Sequence, residues 1–498
     1  MKYISTRGGD ISASSAFAIK QGLSPDGGLF MPEGIPKIDI NFIKRLTSLS
    51  YAERAAEILS MFLTDFSYDE ILCHAKSAYS NEKFGEAPAP VYNLGDGISI
   101  LELWHGPTSA FKDMALQIMP KLFSESIKKC GENRKAIILV ATSGDTGKAA
   151  LEGYRDADNV AVKVFYPTDG VSVMQKRQMQ TQEGDNLSVS GIYGNFDDAQ
   201  SVVKEIFSSE DFKRELDSRG FFLSSANSIN FGRLAPQIVY YFSAYADMCQ
   251  CGSISLGDKI DVTVPTGNFG NIFAAFIAKK MGLPIDKLIC ASNENDVLTE
   301  FFKTGRYNRV RPFYATTSPS MDILISSNLE RLIYLTLGAE RCKELMKELS
   351  EAGEYTLNSI ELDMIRDSFF GYSTSGIEGA DIMRKTFNEK KYLIDTHTAV
   401  ALSAAIRYMN DYKAENKMLV VSTATPYKFA KDTLSAVFDV SSDDESAVQM
   451  LEELSGVNIP SPIKALFGKP ILHTDIITKD EMWSSALSFA DRINTHEA

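Results

Sequence analysis

Apolar and polar positions fall into alternating blocks through the middle of the chain. KAIILVAT (135–142) is a short apolar, β-rich run that stops at Ser-Gly-Asp-Thr-Gly, and a helical pattern begins at Lys148. NVAVKVFYP (159–167) predicts a second buried strand, and VSVMQKRQMQTQ predicts the helix after it. DVTVPTGNFGNIFAAFIAKKMG (261–282) repeats the plan of strand, glycine turn and helix, and KMLVVSTATP (417–426) is a late strand ending in hydroxyl residues. Strands alternating with helices of this length predict parallel sheets with helices on their faces, an α/β fold. Ligands in such folds bind beyond the carboxyl ends of the strands, where these turns fall.

The flanks read differently. Residues 1–92 form a unit of their own: a polar, Gly-rich opening, the turn chemistry of SPDGGLFMPEGIP (24–36), the helical stretch YAERAAEILSMFL, and EAPAPVY (86–92) as a linker or edge connection. Two α/β units are expected at 93–240 and 241–440. From 441 to 498, starting with the acidic helix start SSDDESAVQMLEEL, a mostly helical tail is expected. At 498 residues the chain is too long for one ordinary core.

Composition narrows the function. Hydrophobic content of 44% and charged content of 23% are those of a folded soluble protein. The excess of 65 acids over 51 bases, a net charge of −14, argues against nucleic acid or an anionic membrane as the main partner. An anionic ligand must therefore be held by a local site. The six cysteines are scattered, and only Cys249 and Cys251 lie close, a poor zinc pattern that leaves reduced cytosolic thiols as the expectation. Five histidines without metal-ligand spacing weaken a metal site further. The N-terminus lacks a signal-peptide core and no run is long enough to span a membrane, so a cytoplasmic protein is expected.

Four segments carry candidate chemistry. In HGPTSAFKD (105–113), Lys112 stands behind a Gly-Pro-Thr-Ser turn and against Phe111. It is either an ordinary surface ammonium at a helix start or a desolvated lysine able to bond a carbonyl. In PTGNFGN (265–271), Gly267 and Gly270 permit a tight turn with exposed amides at a helix start, which makes a phosphate cradle or a plain strand-to-helix turn. ATSGDTGKAA (141–150) is not a nucleotide P-loop, because Thr142 and Ala149 stand where that pattern needs Gly and Ser or Thr. What remains is a helix N-terminus suited to a carboxylate or phosphate, or a capped helix with no ligand. Ser422, Thr423 and Thr425 end a strand, either facing a heterocycle or capping the next helix. Taken jointly, the four fit pyridoxal phosphate, which needs a lysine, a phosphate cup, a partner for its pyridine nitrogen and a seat for the substrate carboxylate.

At these residues the chain resembles the threonine synthases of the fold type II (β-family) pyridoxal-phosphate enzymes. KYISTRGG with SPDGGLFMPE is similar to that family's N-terminal domain, HGPTSAFKDMALQ to its coenzyme-lysine segment, ATSGDTGKAA to its substrate loop and PTGNFGNIFAA to its phosphate cup. SSANSINFGRLAPQIVYYF (224–242) resembles its N-S-I-N-x-x-R segment. The resemblance implies two three-layer α/β/α domains with an extra N-terminal domain. It implies that Lys112 forms the internal aldimine and that Gly267, Asn268, Phe269, Gly270 and Asn271 bind the coenzyme phosphate. Ser143, Gly144, Asp145 and Thr146 would lie over the substrate carboxylate and the phenolic edge of the coenzyme. Asn227, Ser228, Asn230 and Arg233 would take the substrate's phosphate end, Arg233 through a bidentate fork, and Thr423 would face the pyridine nitrogen. One departure stands out: TATPYKF replaces the T-A-H-P-A-K-F of many relatives, so Thr425 and Tyr427 stand for His and Ala.

The implied reaction is O-phospho-L-homoserine plus water to L-threonine plus phosphate. The rivals are a lyase or dehydratase on the same fold giving 2-oxobutyrate and ammonia, and a non-catalytic descendant that only binds the coenzyme. The sequence does not choose between a monomer and a homodimer.

Overall fold

Two parallel sheets organise the chain in the computed structural model, which describes residues 1–142, 144–168 and 171–496. The larger has six strands in the spatial order Phe369–Ser373, Ile285–Ser292, Ile260–Pro265, Lys417–Ser422, Ile98–Glu102 and Val91–Gly95. All neighbours run parallel except the last pair. That pair is a hairpin turned by Asp96 and Gly97, both at positive φ (53° and 80°), the backbone a two-residue Asp-Gly turn demands. The second sheet has five parallel strands in the order Ile476–Ile477, Leu187–Ile192, Val160–Pro167, Lys135–Ala141 and Phe221–Ser224. Every residue of the Val160–Pro167 strand is buried, as expected of a strand covered on both faces.

The sheets do not follow the expected division at 93–240 and 241–440. The Ile98–Glu102 strand, inside the first of those ranges, pairs with Lys417–Ser422 and so belongs to the sheet built from the second. The chain enters the six-stranded sheet, leaves to build the five-stranded one, and returns. A strand's sheet is set by its hydrogen-bonding partner, and here the partner lies more than three hundred residues away. One helix start differs from the sequence reading: the helix after the Ser-Gly-Asp-Thr-Gly turn is Asp145–Tyr154 and begins before Lys148, while the one after the 265–269 turn is Gly270–Met281.

The N-terminal unit pairs Tyr3–Ser5 antiparallel with Phe30–Pro32 and packs helices Tyr51–Phe62 and Tyr68–Ala78 beside them, each started by a Ser/Glu capping box. It shares its core with the rest of the protein. Tyr3 and Phe62 pack their rings against Phe231 of the long buried helix Phe231–Gln250 (centroids 4.9 and 5.9 Å), and Arg54 reaches Ser243 (2.8 Å) and Asp247 (2.6 Å) on that helix. Replacing the fully buried Phe62 by Ala removes this contact and leaves a cavity. The expected cost is about 3–5 kcal/mol of stability, read as an earlier urea midpoint.

The tail contains the helices Asp444–Ser455 and Met482–His496. It also contributes the two-residue strand Ile476–Ile477, which extends the five-stranded sheet beside Leu187–Ile192. Met482, Ala486, Phe489 and Ala490 close one face of that sheet over Ile137, Leu139 and Phe165. No helix among the described residues is long and apolar enough to cross a membrane.

Candidate active site

Three neighbouring strands of the six-stranded sheet, Ile260–Pro265, Lys417–Ser422 and Ile98–Glu102, run parallel and so present their carboxyl ends together. The chain beyond these ends carries the 266–271 turn, Thr423 and Thr425, and the segment leading to Lys112, the crevice position expected for a ligand.

Lys112 is held there by its turn. Asp113, fully buried, accepts from Thr108 N and Thr108 Oγ1 (both 2.8 Å), while Ser109 adopts a left-handed φ of 58°. A Cβ on Gly106 would come within 2.6 Å of the Asp113 side chain, so the close pass requires glycine. Ala110 bridges Ala424, and Phe111 N donates to Thr423 O (2.8 Å), which fixes the turn to the neighbouring strand end. The Lys112 side chain is 11% exposed, and its Nζ lies 5.5 Å from the centre of the Phe111 ring and 3.4 Å from Asp145 Oδ2. Burial, assisted by Arg233 and Lys428, overcomes the opposing pull of Asp145 and lowers the Lys112 ammonium to about 8. A buried amine that gives up its proton near neutrality suits carbonyl chemistry better than surface solvation.

Asp145 is the hub of this corner. Its Oδ1 takes Lys428 Nζ (2.6 Å) and Gln175 Nε2 (2.9 Å), and its Oδ2 takes Ser320 Oγ (3.2 Å) as well as Lys112. Burial works to raise its pKa, but Lys428, Lys112 and the hydrogen bonds outweigh it and hold the carboxyl well below the usual carboxylate range. Gly144, at φ 137°, caps its helix without a side-chain bond, and a Cβ there would overlap the Gln175 amide. Thr142 Oγ1 accepts from the Gly144 and Gly147 amides (both 3.0 Å), which shapes the loop, and Thr146 is half-buried beside it. Ser143 lies outside the described residues.

The 267–271 turn has the form of an anion cradle. Phe269 is held at φ 64°, an unfavourable region for a bulky residue, by burial of its ring against Phe302 and Phe369, so it offers the site only its backbone. Gly267 passes so near Ser320 O that a Cβ would lie 2.8 Å from it. Asn328 fixes Asn268 O through its backbone N (3.1 Å) and Nδ2 (2.9 Å), and Ser326 Oγ holds Gly267 O (2.8 Å), which ties down the carbonyls. The helix Gly270–Met281 begins with no side-chain cap, and Gly270 is buried at its first position. Asn271 Oδ1 accepts from Tyr240 (2.6 Å) and Tyr241 (2.5 Å), whereas its buried Nδ2 has no partner among the described residues. Uncapped amides and an orphaned donor beside a reactive lysine fit the phosphate of pyridoxal phosphate.

Arg233 is a second buried cation near Lys112. It is buried, its Nη1 donates to Ala226 O (3.0 Å), and it has no carboxylate partner among the described residues. Burial lowers its pKa, against Tyr154, to about 10, so the guanidinium remains charged at neutral pH. Asn227 and Ser228 are half-buried in the turn before its helix. Asn230 does not fit the expected substrate role. It is fully buried, its Nδ2 donates to Ile19 O (2.8 Å) and Ser225 O (3.1 Å), and its Oδ1 caps the helix at Gly232 N (2.9 Å). Both amide hydrogens are committed, so the side chain has no donor left for a phosphoryl oxygen.

At the late strand end, Thr423 is buried and its hydroxyl makes no hydrogen bond among the described residues. Ser422 Oγ is already engaged by Trp104 Nε1 (3.0 Å) and Thr398 Oγ1 (2.9 Å). Tyr427 points its hydroxyl away from the site to Val457 O, so its bulk is absorbed by the second core rather than by the crevice. Among the described residues, no group of three or more His, Cys, Asp and Glu is placed to hold a metal.

Several residues of this corner were not singled out by sequence. Lys428 and Gln175 pair with Asp145. His397 Nε2 accepts from Ser320 N (3.2 Å), which leaves its Nδ1 to donate to Asp395 Oδ2 (2.8 Å). Arg331, fully buried, donates to Phe30 O (3.1 Å), Ile229 O (2.5 Å) and Asn328, and so connects the N-terminal unit to the residue that braces Asn268. Asp395 carried a helix-cap signal, directly before THTAV, that could have been read.

Comparison with known proteins gives the family. The chain matches the family described as threonine synthase N terminus over residues 2–79 and the pyridoxal-phosphate dependent enzyme family over residues 85–424. It is 36% identical over 462 residues to threonine synthase of Schizosaccharomyces pombe, covering 86% of this chain and 88% of that one. It is 39% identical over 458 residues to threonine synthase-like 1 of Macaca fascicularis, covering 90% of this chain but only 61% of that longer protein. The crystal structure of PLP-bound threonine synthase from Brucella melitensis superposes with a TM-score of 0.87 at 33% identity, covering 98% of this chain and 99% of that one. With its N-terminal unit, both sheets and the lysine crevice all accounted for, the chain belongs to the threonine synthase family of fold type II pyridoxal-phosphate-dependent enzymes.

Proposed function

We propose that the chain converts O-phospho-L-homoserine and water to L-threonine and phosphate, using pyridoxal phosphate. The observation that carries this reading is Arg233: a buried guanidinium without a carboxylate partner among the described residues, electrostatically coupled to Lys112, calls for an anion on the ligand itself. A substrate with an amine for the coenzyme, a carboxylate for the loop before Asp145–Tyr154 and a phosphoryl group for Arg233 meets these demands, whereas serine or threonine has one anion for two sites.

When bound, the coenzyme supplies an electron sink for charge developing at the substrate carbon beside the amine. The protein's residues do the rest. Lys112 Nζ holds the coenzyme, then takes and returns the proton at the substrate Cα; its lowered proton affinity suits a base working near neutral pH. Gly267, Asn268, Phe269, Gly270 and Asn271 would hold the coenzyme phosphate, the Thr423 hydroxyl would serve the ring nitrogen, and Asp145 would serve the phenolic edge. Ser143, Gly144 and Thr146 seat the substrate carboxylate, while Arg233, with Asn227 and Ser228, binds the phosphoryl group and steadies it as it leaves. The N-terminal unit is joined to the cradle through Arg331, which donates to Phe30 O and to the Asn328 that braces Asn268. A cytoplasmic setting is part of the proposal, and six free cysteines support it.

Product analysis tests the reading. Incubation with O-phospho-L-homoserine is expected to give threonine and phosphate in equal amounts. Phosphate is released on either route, so formation of 2-oxobutyrate and ammonia in place of threonine would overturn it in favour of a lyase.

A further inference from the structure

One carboxylate stands between two lysines in this crevice, and the two are not equivalent. Lys428 Nζ is 2.6 Å from Asp145 Oδ1, with no exposed side-chain surface, and also donates to Thr108 O (3.1 Å) in the turn that carries Lys112. Lys112 Nζ is 3.4 Å from Oδ2, an oxygen it shares with Ser320 Oγ. Gln175 completes Oδ1, and Ser320 is itself steadied by the His397–Asp395 pair. Asp145 is therefore pinned on three sides without Lys112. The charged groups facing Lys112 are Asp145, Arg233 and Lys428, Asp113 faces Lys428, and His397 reaches Asp145 only through Ser320.

We propose that Lys428 is a positioning residue that serves as the standing counter-ion of Asp145, so that Lys112 is released from that duty and is available as a free amine. This rests on the reading of Lys112 as the coenzyme lysine. A buried carboxylate beside the reactive amine would otherwise keep the amine protonated, because an opposite charge at this distance favours the charged form. Lys428 removes that penalty twice over: it satisfies the carboxylate and adds a like charge near Lys112. The direction agrees, since Lys112 is lowered first by burial and also by Arg233 and Lys428, with Asp145 opposing. Lys428 touches neither of the two anion sites, the 267–271 turn and Arg233, so its role is exerted through Asp145.

The test follows the titration of Lys112 itself. The full-length protein, freed of coenzyme, is pulsed with cyanate between about pH 6 and 10, and carbamoylation of residue 112 is quantified by peptide mass spectrometry. Wild type is expected to show a midpoint near 8. Lys428→Met is expected to move it up by about one to two pH units, which lowers labelling at pH 7 by roughly tenfold to a hundredfold. Lys428→Arg is expected to stay close to wild type, and Lys428→Met combined with Asp145→Asn to return to the wild-type midpoint or below it. Should the Met variant not fold, Lys428→Gln asks the same question. A midpoint unmoved by either Lys428 variant, or an upward shift that survives loss of the carboxylate, would overturn the proposal. Failure of wild-type Lys112 to take up pyridoxal 5'-phosphate would instead overturn the functional reading on which it rests.

Discussion

Lys112→Ala is expected to reduce threonine formation by at least about 10³-fold while leaving the protein folded. Proton transfer by a placed side chain is worth about 10²–10⁴-fold, and the same substitution also removes the covalent hold on the coenzyme, so the two losses combine. Folding should survive. Lys112 forms no part of a core cluster, and its turn is fixed by Thr108, Asp113 and the bridge from Ala110 to Ala424, none of which uses the lysine side chain. The variant retains the 267–271 cradle and is expected to bind pyridoxal phosphate non-covalently, with the absorbance of the free aldehyde. Wild-type turnover in this variant would place the chemistry elsewhere.

Arg233→Ala is expected to lower kcat/KM for the phosphorylated substrate by about 10²- to 10⁴-fold, with the coenzyme still attached to Lys112. Two charge-assisted bonds to a phosphoryl group, each about 1.5–3 kcal/mol, account for that range at about 1.4 kcal/mol per factor of ten. Arg233→Lys is expected to recover little, because a single ammonium cannot reproduce the planar fork and sits in a site shaped by burial rather than by water. Competition by inorganic phosphate at the substrate site should weaken in parallel. Steady-state kinetics with and without phosphate check both statements. An unchanged KM and phosphate sensitivity would remove Arg233 from the substrate site.

How much of this was legible in the chain depends on sequence distance. Lys112, its glycine turn and the 267–271 cradle are local patterns, with each residue's role set by neighbours within a few positions, and the structure brings them together. The Asp145 carboxylate was legible as a residue but not as a hub, because its partners Lys428, Gln175 and Ser320 are scattered through the chain and resemble ordinary surface polar residues when read singly. The division of the chain into sheets was misplaced for the same reason: nothing near Ile98–Glu102 records that its partner is Lys417–Ser422. Ile476–Ile477 is too short a strand to show a period. Asn230 was legible in the other direction, since an asparagine directly before an apolar helix is a cap signal, and the structure uses it as one.

The replacement of His and Ala by Thr425 and Tyr427 also finds its setting. Thr425 is buried and braces the Lys112 turn through its backbone N–H to Ser109 O (3.3 Å), while Tyr427 reaches the 441–498 tail at Val457 O. Tyr427 thus anchors the tail, and Lys428, one position further, stays on Asp145.

Borohydride reduction of the purified protein followed by peptide mass spectrometry asks the central question most directly, because it fixes the coenzyme to whichever amine carries it. A pyridoxyl group on the peptide containing Lys112, and on no other lysine, is the expected result. A pyridoxyl group on Lys428 or elsewhere, or on no peptide at all, would contradict the account.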